Sequence, residues 1–202
     1  MSVAPGEHVA LFGPSGCGKS SLLALIAGLL PPGGGVVEIG GLAMAEHSAG
    51  QLRARMAWMG QKPHVFAGTV LANVALAHPQ ATNDMVREAI RLAGLEQVEQ
   101  AHPAATLGEG GVGLSGGEVL RLALARLAVR AEAADLLLVD EPTAHLDSET
   151  ARHASDALMS IARGRTLIVA THDPELAGRM DRVIHLGVKP AQPQERPEDA
   201  LA

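Results

Sequence analysis

The run Gly13-Pro14-Ser15-Gly16-Cys17-Gly18-Lys19-Ser20 fits the pattern G-x-x-x-x-G-K-S at every fixed position. Glycines at this spacing let backbone N–H groups converge on phosphate oxygens without clashes from Cβ atoms. A helix starting at the lysine adds the positive end of its dipole. Lys19 is then placed to contact the β- and γ-phosphates of a nucleoside triphosphate, and the Ser20 hydroxyl to bind Mg²⁺. The required context is present: apolar residues 8–12 lead in, and the Leu- and Ala-rich residues 19–29 follow. Cys17 reads as a small filler of this loop, with no resolving partner for redox work.

Two further points could serve the same chemistry. Residues 136–139 are apolar throughout and end in Asp140 and Glu141. Asp140 is placed to hold Mg²⁺, usually through water. Glu141, one residue further on, is placed to polarise an attacking water as general base. A strand that simply ends in solvated acids is the bland alternative, and the phosphate loop weighs against it. His172 follows the apolar residues 167–170 and Thr171. There it could contact the γ-phosphate or orient the water. The other histidines read as surface residues.

These residues need elements to carry them. Short apolar runs at residues 8–12, 36–39, 56–59, 136–139, 166–170 and 183–186 predict strands. Residues 19–29, 116–131 and 148–162 predict helices, the first ended by the Pro- and Gly-rich residues 31–35. Residues 62–115 carry helical periodicity without a strand signal and predict a helical subdomain, closed by a glycine-rich loop at 108–113. Strands alternating with helices predict an α/β fold with a mostly parallel sheet and helices on both faces. In such sheets ligands sit at the carboxyl ends of the strands. The loops after Phe12, Val139 and Ala170 should therefore share one edge. One domain is expected over 1–188, with a disordered tail over 189–202 that is rich in Pro, Gln and Glu.

Composition narrows the partners. Among 202 residues there are one Trp, two Phe and no Tyr, so the core must be aliphatic. The net charge of −6 comes with no basic stripe, which argues against a nucleic-acid footprint. One cysteine allows neither an internal disulfide nor a cysteine metal cluster. No signal peptide is expected at the start. The longest uncharged apolar stretch, residues 22–30, is too short to span a bilayer, so work at a membrane would need a span from another segment or chain.

Leu114-Ser115-Gly116-Gly117-Glu118 opens the helix predicted at 116–131. Ser115-x-x-Glu118 is a capping box, which is a complete structural explanation. The two glycines also strip side chains from the helix start and leave its amides bare, which makes an anion site. With the phosphate loop, the Asp140-Glu141 strand end and His172, in this order along the chain, the sequence resembles the ATP-binding-cassette (ABC) ATPases, with a P-loop NTPase fold. The resemblance covers residues 3–187. Gly13 to Ser20 look like the Walker A motif, Gln61 like the Q-loop glutamine and residues 136–140 like Walker B. Glu141 looks like the catalytic glutamate, Ala144-His145-Leu146-Asp147 like the D-loop, and His172 like the switch histidine.

The resemblance implies ATP and Mg²⁺ as ligands. Nucleotide contacts then fall on Gly13, Pro14, Ser15, Gly16, Cys17, Gly18, Lys19, Ser20 and Ser21, and on Ser115, Gly116, Gly117 and Asp147. Metal contacts fall on Ser20, Gln61 and Asp140, and catalysis on Glu141, His172 and Gln61. In this family the signature meets the γ-phosphate held by the other subunit, so a second cassette is an implied partner, in a homo- or heterodimer. The stretch Gln61-x-Pro63-x-x-Phe66-x-Gly68-Thr69-Val70 and the loop Gly108-Glu109-Gly110-Gly111 look like exporter segments. They imply a transmembrane-domain partner, no nucleic acid, and a place at the cytoplasmic face of the inner membrane. The strings at residues 144–149, 164–166 and 170–173 are most like the thiol-reductant exporter subunits of cytochrome bd assembly, which export cysteine or glutathione.

Three departures from the family pattern stand out. The signature ends in Glu118 where the family usually has Gln. About ten residues precede Gly13, with no aromatic before Phe12, so the adenine platform and part of the N-terminal antiparallel strands are expected to be missing. Exporters also carry a membrane domain ahead of the cassette, so the chain is expected to be the C-terminal part of a longer polypeptide or a product with a displaced start. The alternatives are a soluble ABC ATPase of another class, or a truncated cassette with weak or no ATPase activity.

Overall fold

The computed structural model describes residues 1–101 and 107–187. Five strands form one parallel sheet: β1 (His8–Phe12), β4 (Met56–Met59), β5 (Leu136–Asp140), β6 (Thr166–Thr171) and β7 (Arg182–His185), in the order β4-β5-β6-β1-β7. The register sets Phe12 opposite Thr171 and Asp140 opposite Ala170, so three strands end together at one edge. The loops after β1, β5 and β6 share that edge, as the sequence predicts.

Burial explains why these strands carry no polar alternation. On one face Leu137, Val139, Leu167 and Val169 pack with α3 (Val70–Ala75), α4 (Asn83–Leu92), α6 (Gly116–Ala131) and α7 (Ser148–Ala162). On the other, Leu136, Leu138, Ile168 and Ala170 pack against Leu23 and Ile26 of α1 (Lys19–Ile26). Sheets covered on both faces read as continuous apolar runs. Each fully buried leucine of β5 contributes about 2 kcal/mol of burial free energy.

The helices predicted at 116–131 and 148–162 are α6 and α7 to the residue. Other expectations needed correction. The first helix stops at Ile26 rather than residue 29, because Gly28 takes φ 65 and turns the chain. Residues 36–39 do not join the main sheet: Glu38–Ile39 (β2) pairs antiparallel with Leu42–Ala43 (β3) in a separate ribbon. Two helices carried no recognised signal, α2 (Glu46–Ala54) and the short α8 (Pro174–Ala177). Residues 62–115 hold α3, α4, α5 (Glu96–Ala101) and a 3₁₀ turn at Glu109–Gly111, with residues 102–106 outside the described set. The tail expected at 189–202 also lies outside the described residues. Among the described residues no helix is long and apolar enough to cross a membrane.

Candidate active site

The loop between β1 and α1 is built on close backbone approaches. A Cβ at Gly13 would lie 2.5 Å from the Leu186 carbonyl oxygen. Gly18 caps α1 at φ 99, a conformation costly for any side chain, so the chain enters the helix with its first amides facing outward. Pro14, Ser15, Gly16, Ser20 and Ser21 are exposed, while Cys17 is half-buried beside Gly13 and Gly187. Lys19 folds back into this loop, where its Nζ donates to the carbonyls of Gly13 (2.8 Å) and Pro14 (3.1 Å).

The same ammonium lies 3.1 Å from Glu141 Oε1, and both side chains are buried. The second carboxylate oxygen, Oε2, accepts from His172 Nδ1 at 2.8 Å. An ionised carboxylate only accepts, so Nδ1 carries the proton and Nε2 is left free on an exposed ring. Glu141 itself sits at φ 50, and its amide donates to the Ala170 carbonyl (2.9 Å). A left-handed conformation at a glutamate is held strain of the kind that gathers at functional sites. The sheet register therefore brings Lys19, Glu141 and His172 into one network from three separate loops.

Asp140 is buried, and its Oδ1 has no hydrogen-bond partner. Burial pushes its carboxyl above the ordinary range, while a hydrogen bond from Ser20 pulls the other way. A buried acceptor without a donor, beside a serine hydroxyl, suits a hard divalent cation with oxygen ligands. Ser20 and Asp140 thus fit Mg²⁺. Gln61 is placed differently. It follows Gly60 at the end of the edge strand β4, is exposed, and makes no hydrogen bond to Ser20, Asp140 or Glu141 among the described residues.

The second set of residues lies apart from this network. Ser115, Gly116, Gly117, Arg121, His145, Leu146, Asp147 and Thr150 line a groove of about 290 Å³. The capping box is present, with Ser115 N–H donating to Glu118 Oε2 (2.6 Å) and Glu118 N–H to Ser115 Oγ (3.3 Å). Asp147 is used up locally: it caps α7 through the amides of Glu149 and Thr150 and accepts from the Thr150 hydroxyl at 2.7 Å. The Thr150 amide bond leads the causes that hold its carboxyl below the usual range. Both its oxygens bond to these donors, and Gly116 and Gly117 at the start of α6 bring no side chain to the groove.

A third cluster ties residues 64–73 to the loop before the signature. Glu109 accepts from His64 Nε2 (2.8 Å) and from the Ala67 amide (3.0 Å), and these bonds, His64 first, hold it below the usual carboxylate range. Arg126 reaches across to the His64 and Asn73 carbonyls and lies over the Phe66 ring. Phe66 and Val112 remain exposed beside this knot, at 47% and 75%. Sequence reasoning missed these ties, and also Thr143 and Asp173, which bond to one another at 3.0 Å between the loops of Glu141 and His172. One signal was legible: Asp before Pro174 is an N-cap followed by proline at the first helical position.

Residues 1–144 match the sequence profile described as ABC transporter. The chain belongs to the ABC transporter family. A second profile, described as "AAA domain, putative AbiEii toxin, Type IV TA system", matches residues 118–178. The ATP-dependent lipid A-core flippase of Burkholderia thailandensis is 39% identical over 92% of this chain. The mycobactin import ATP-binding/permease protein IrtB of Mycobacterium tuberculosis is 40% identical over 89% of it. In each case the chain spans only 31% of the relative's length. A solved structure of a bacterial Atm1-family ABC exporter with ATP bound superposes with a TM-score of 0.83 at 31% identity, over 92% of this chain and 33% of that one. The α/β fold is thus that of an ABC cassette, and this chain is an ABC ATPase domain.

Proposed function

We propose that this cassette is the ATP-hydrolysing motor of an ABC exporter, working as one half of a cassette dimer against a transmembrane domain at the cytoplasmic face of the membrane. The observation that carries the reading is the buried Lys19–Glu141 pair joined by the exposed His172 at the carboxyl edge of the sheet. The amides of residues 16–20 hold the phosphates of ATP, and Lys19 turns from its loop carbonyls to them. Ser20 and Asp140 would hold Mg²⁺, which would supply charge neutralisation to the phosphates. Glu141 takes the proton of the attacking water, and His172 fixes the carboxylate through Nδ1 and offers Nε2 toward the γ-phosphate. Gln61, exposed after β4 in this structure, would join the metal contacts only if the loop after β4 turned inward.

The groove at Ser115–Gly117 receives the terminal phosphate of ATP held by the second cassette, homologous or identical. Residues 62–115 form the arm that carries this groove, and the exposed Phe66 and Val112 face the transmembrane partner. The cargo we propose is a small thiol, cysteine or glutathione, on the strings at residues 144–149, 164–166 and 170–173. Lipid A-core and mycobactin belong to the names of the relatives. Thiol uptake into inverted vesicles carrying the complete transporter tests the cargo. The catalytic assignment is tested by Glu141→Gln, which should lower kcat by about 10²–10⁴ and keep ATP binding. Unchanged turnover would remove Glu141 from the role.

A further inference from the structure

The bond between Thr143 and Asp173 joins two loops whose tasks are separate. Thr143 is buried, and its hydroxyl donates to Asp173 Oδ2 at 3.0 Å. Asp173 is fixed on every side. Its Oδ1 accepts from the amides of Glu175 (2.9 Å) and Leu176 (3.4 Å), and its own amide donates to the Thr171 hydroxyl (3.0 Å). Thr171 is fully buried. His172 lies between these two anchored neighbours, with both its amide and Nδ1 directed at Glu141 Oε2.

The other loop is equally constrained. The Ala144 amide donates to the Glu141 carbonyl (3.2 Å), the Leu146 amide to the Thr143 carbonyl (3.4 Å), and His145 stands at φ 63. The loop then enters the groove through His145, Leu146 and Asp147. A continuous set of bonds therefore runs from the groove, through Thr143 and Asp173, to His172 and Glu141. The Thr143 hydroxyl bonds to Asp173 and, among the described residues, to no group of the Lys19 loop.

We propose that Thr143 and Asp173 are positioning residues that hold His172 against Glu141 and couple that pair to the groove formed by Ser115–Gly117 and His145–Asp147. The coupling part rests on the reading above, in which the groove receives the second cassette's nucleotide. The geometric part stands by itself: without the Thr143 hydroxyl, the loop carrying His172 loses its Asp173 tie to the loop carrying Glu141 and is left with the contacts of His172 to the Glu141 carboxylate.

Thr143→Val removes the hydroxyl at constant shape, and Thr143→Ser keeps it. The purified chain is measured in two ways. Proton NMR follows the Nδ1–H signal of His172, assigned with His172→Gln. The signal should be present in the wild type and in Thr143→Ser, and broadened or lost in Thr143→Val. An unchanged signal in Thr143→Val overturns the proposal whatever the rate does. In the ATPase assay Thr143→Val should lower kcat about tenfold with KM within about twofold, since small misplacement of a catalytic group costs rate rather than binding. Thr143→Ser should recover most of that rate, and failure to recover it also overturns the proposal. A wild type that hydrolyses no ATP while its His172 signal still responds to Thr143→Val supports the tie and removes the motor reading instead.

Discussion

The Lys19 network and the signature groove are both proposed here as phosphate sites, yet they are built in opposite ways. In the first, three loops converge on one buried carboxylate, and the side-chain polar atoms of Glu141 and Lys19 have partners within the chain. In the second, the acids are engaged by their own helix starts, Glu118 by Ser115 and Asp147 by α7, around a groove whose lining includes Gly116 and Gly117. The Lys19–Glu141–His172 network is bonded from within, whereas in the reading proposed above the groove would take its acceptors from a separate molecule. That difference is what the proposed pairing of cassettes rests on.

The sharpest way to break the comparison is Lys19→Ala. Loss of a charge-assisted phosphate contact should weaken ATP binding about 100-fold, read by titration of a fluorescent ATP analogue. The same change leaves Glu141 buried without its cation, so stability should fall by about 3–5 kcal/mol in urea unfolding. Combining it with Glu141→Gln should return much of the stability and none of the binding. If Lys19→Ala alone unfolds no more easily than the wild type, the buried pair is not a structural element.

Gly117→Val separates the two regions. A Cβ at this position would meet Thr150 Cγ2 at 3.5 Å, an ordinary contact, so the fold tolerates it. The added bulk fills the groove and covers the amides at the start of α6. Turnover should fall about tenfold or more, while ATP binding at the Lys19 loop stays within about twofold, since the loss is of one set of preorganised donors. A parallel loss of binding would show that the two regions are not independent.

How legible these regions were follows from what each depends on. The Lys19 loop, the Asp140–Glu141 strand end and His172 follow apolar strands, so pattern alone places them, and the parallel register does the rest. Helices α6 and α7 were legible to the residue because Ser115 and Asp147 are explicit caps. Residues 36–39 misled because a short apolar run cannot say which sheet it joins. The Lys19–Glu141 pair, the Thr143–Asp173 tie and the His64–Glu109 knot were invisible for a different reason. They span 122, 30 and 45 positions of sequence, and only the packed sheet brings them within bonding distance.

Asp140 offers the finest adjustment of the contrast, because it is a buried acid of the first region whose Oδ1 has no hydrogen-bond partner among the described residues. Burial is the largest cause of its raised pKa; the Glu141 charge adds to it, while the Ser20 hydroxyl and Lys19 oppose it. A folded-state pKa above the unfolded value means the folded chain holds the proton more tightly. The resulting stabilisation is full at pH below the ordinary carboxylate range and is lost as pH rises through the raised value. At neutral pH the ionised Asp140 therefore opposes folding. Asp140→Asn should raise the melting temperature at pH 7, with the gain shrinking steadily on acidification, and should weaken Mg²⁺-dependent nucleotide binding. A scan from pH 4 to 8 by calorimetry checks the slope. A stability gain independent of pH would mean that the carboxylate is already compensated, and that the unpaired oxygen is not what suits this position to a cation.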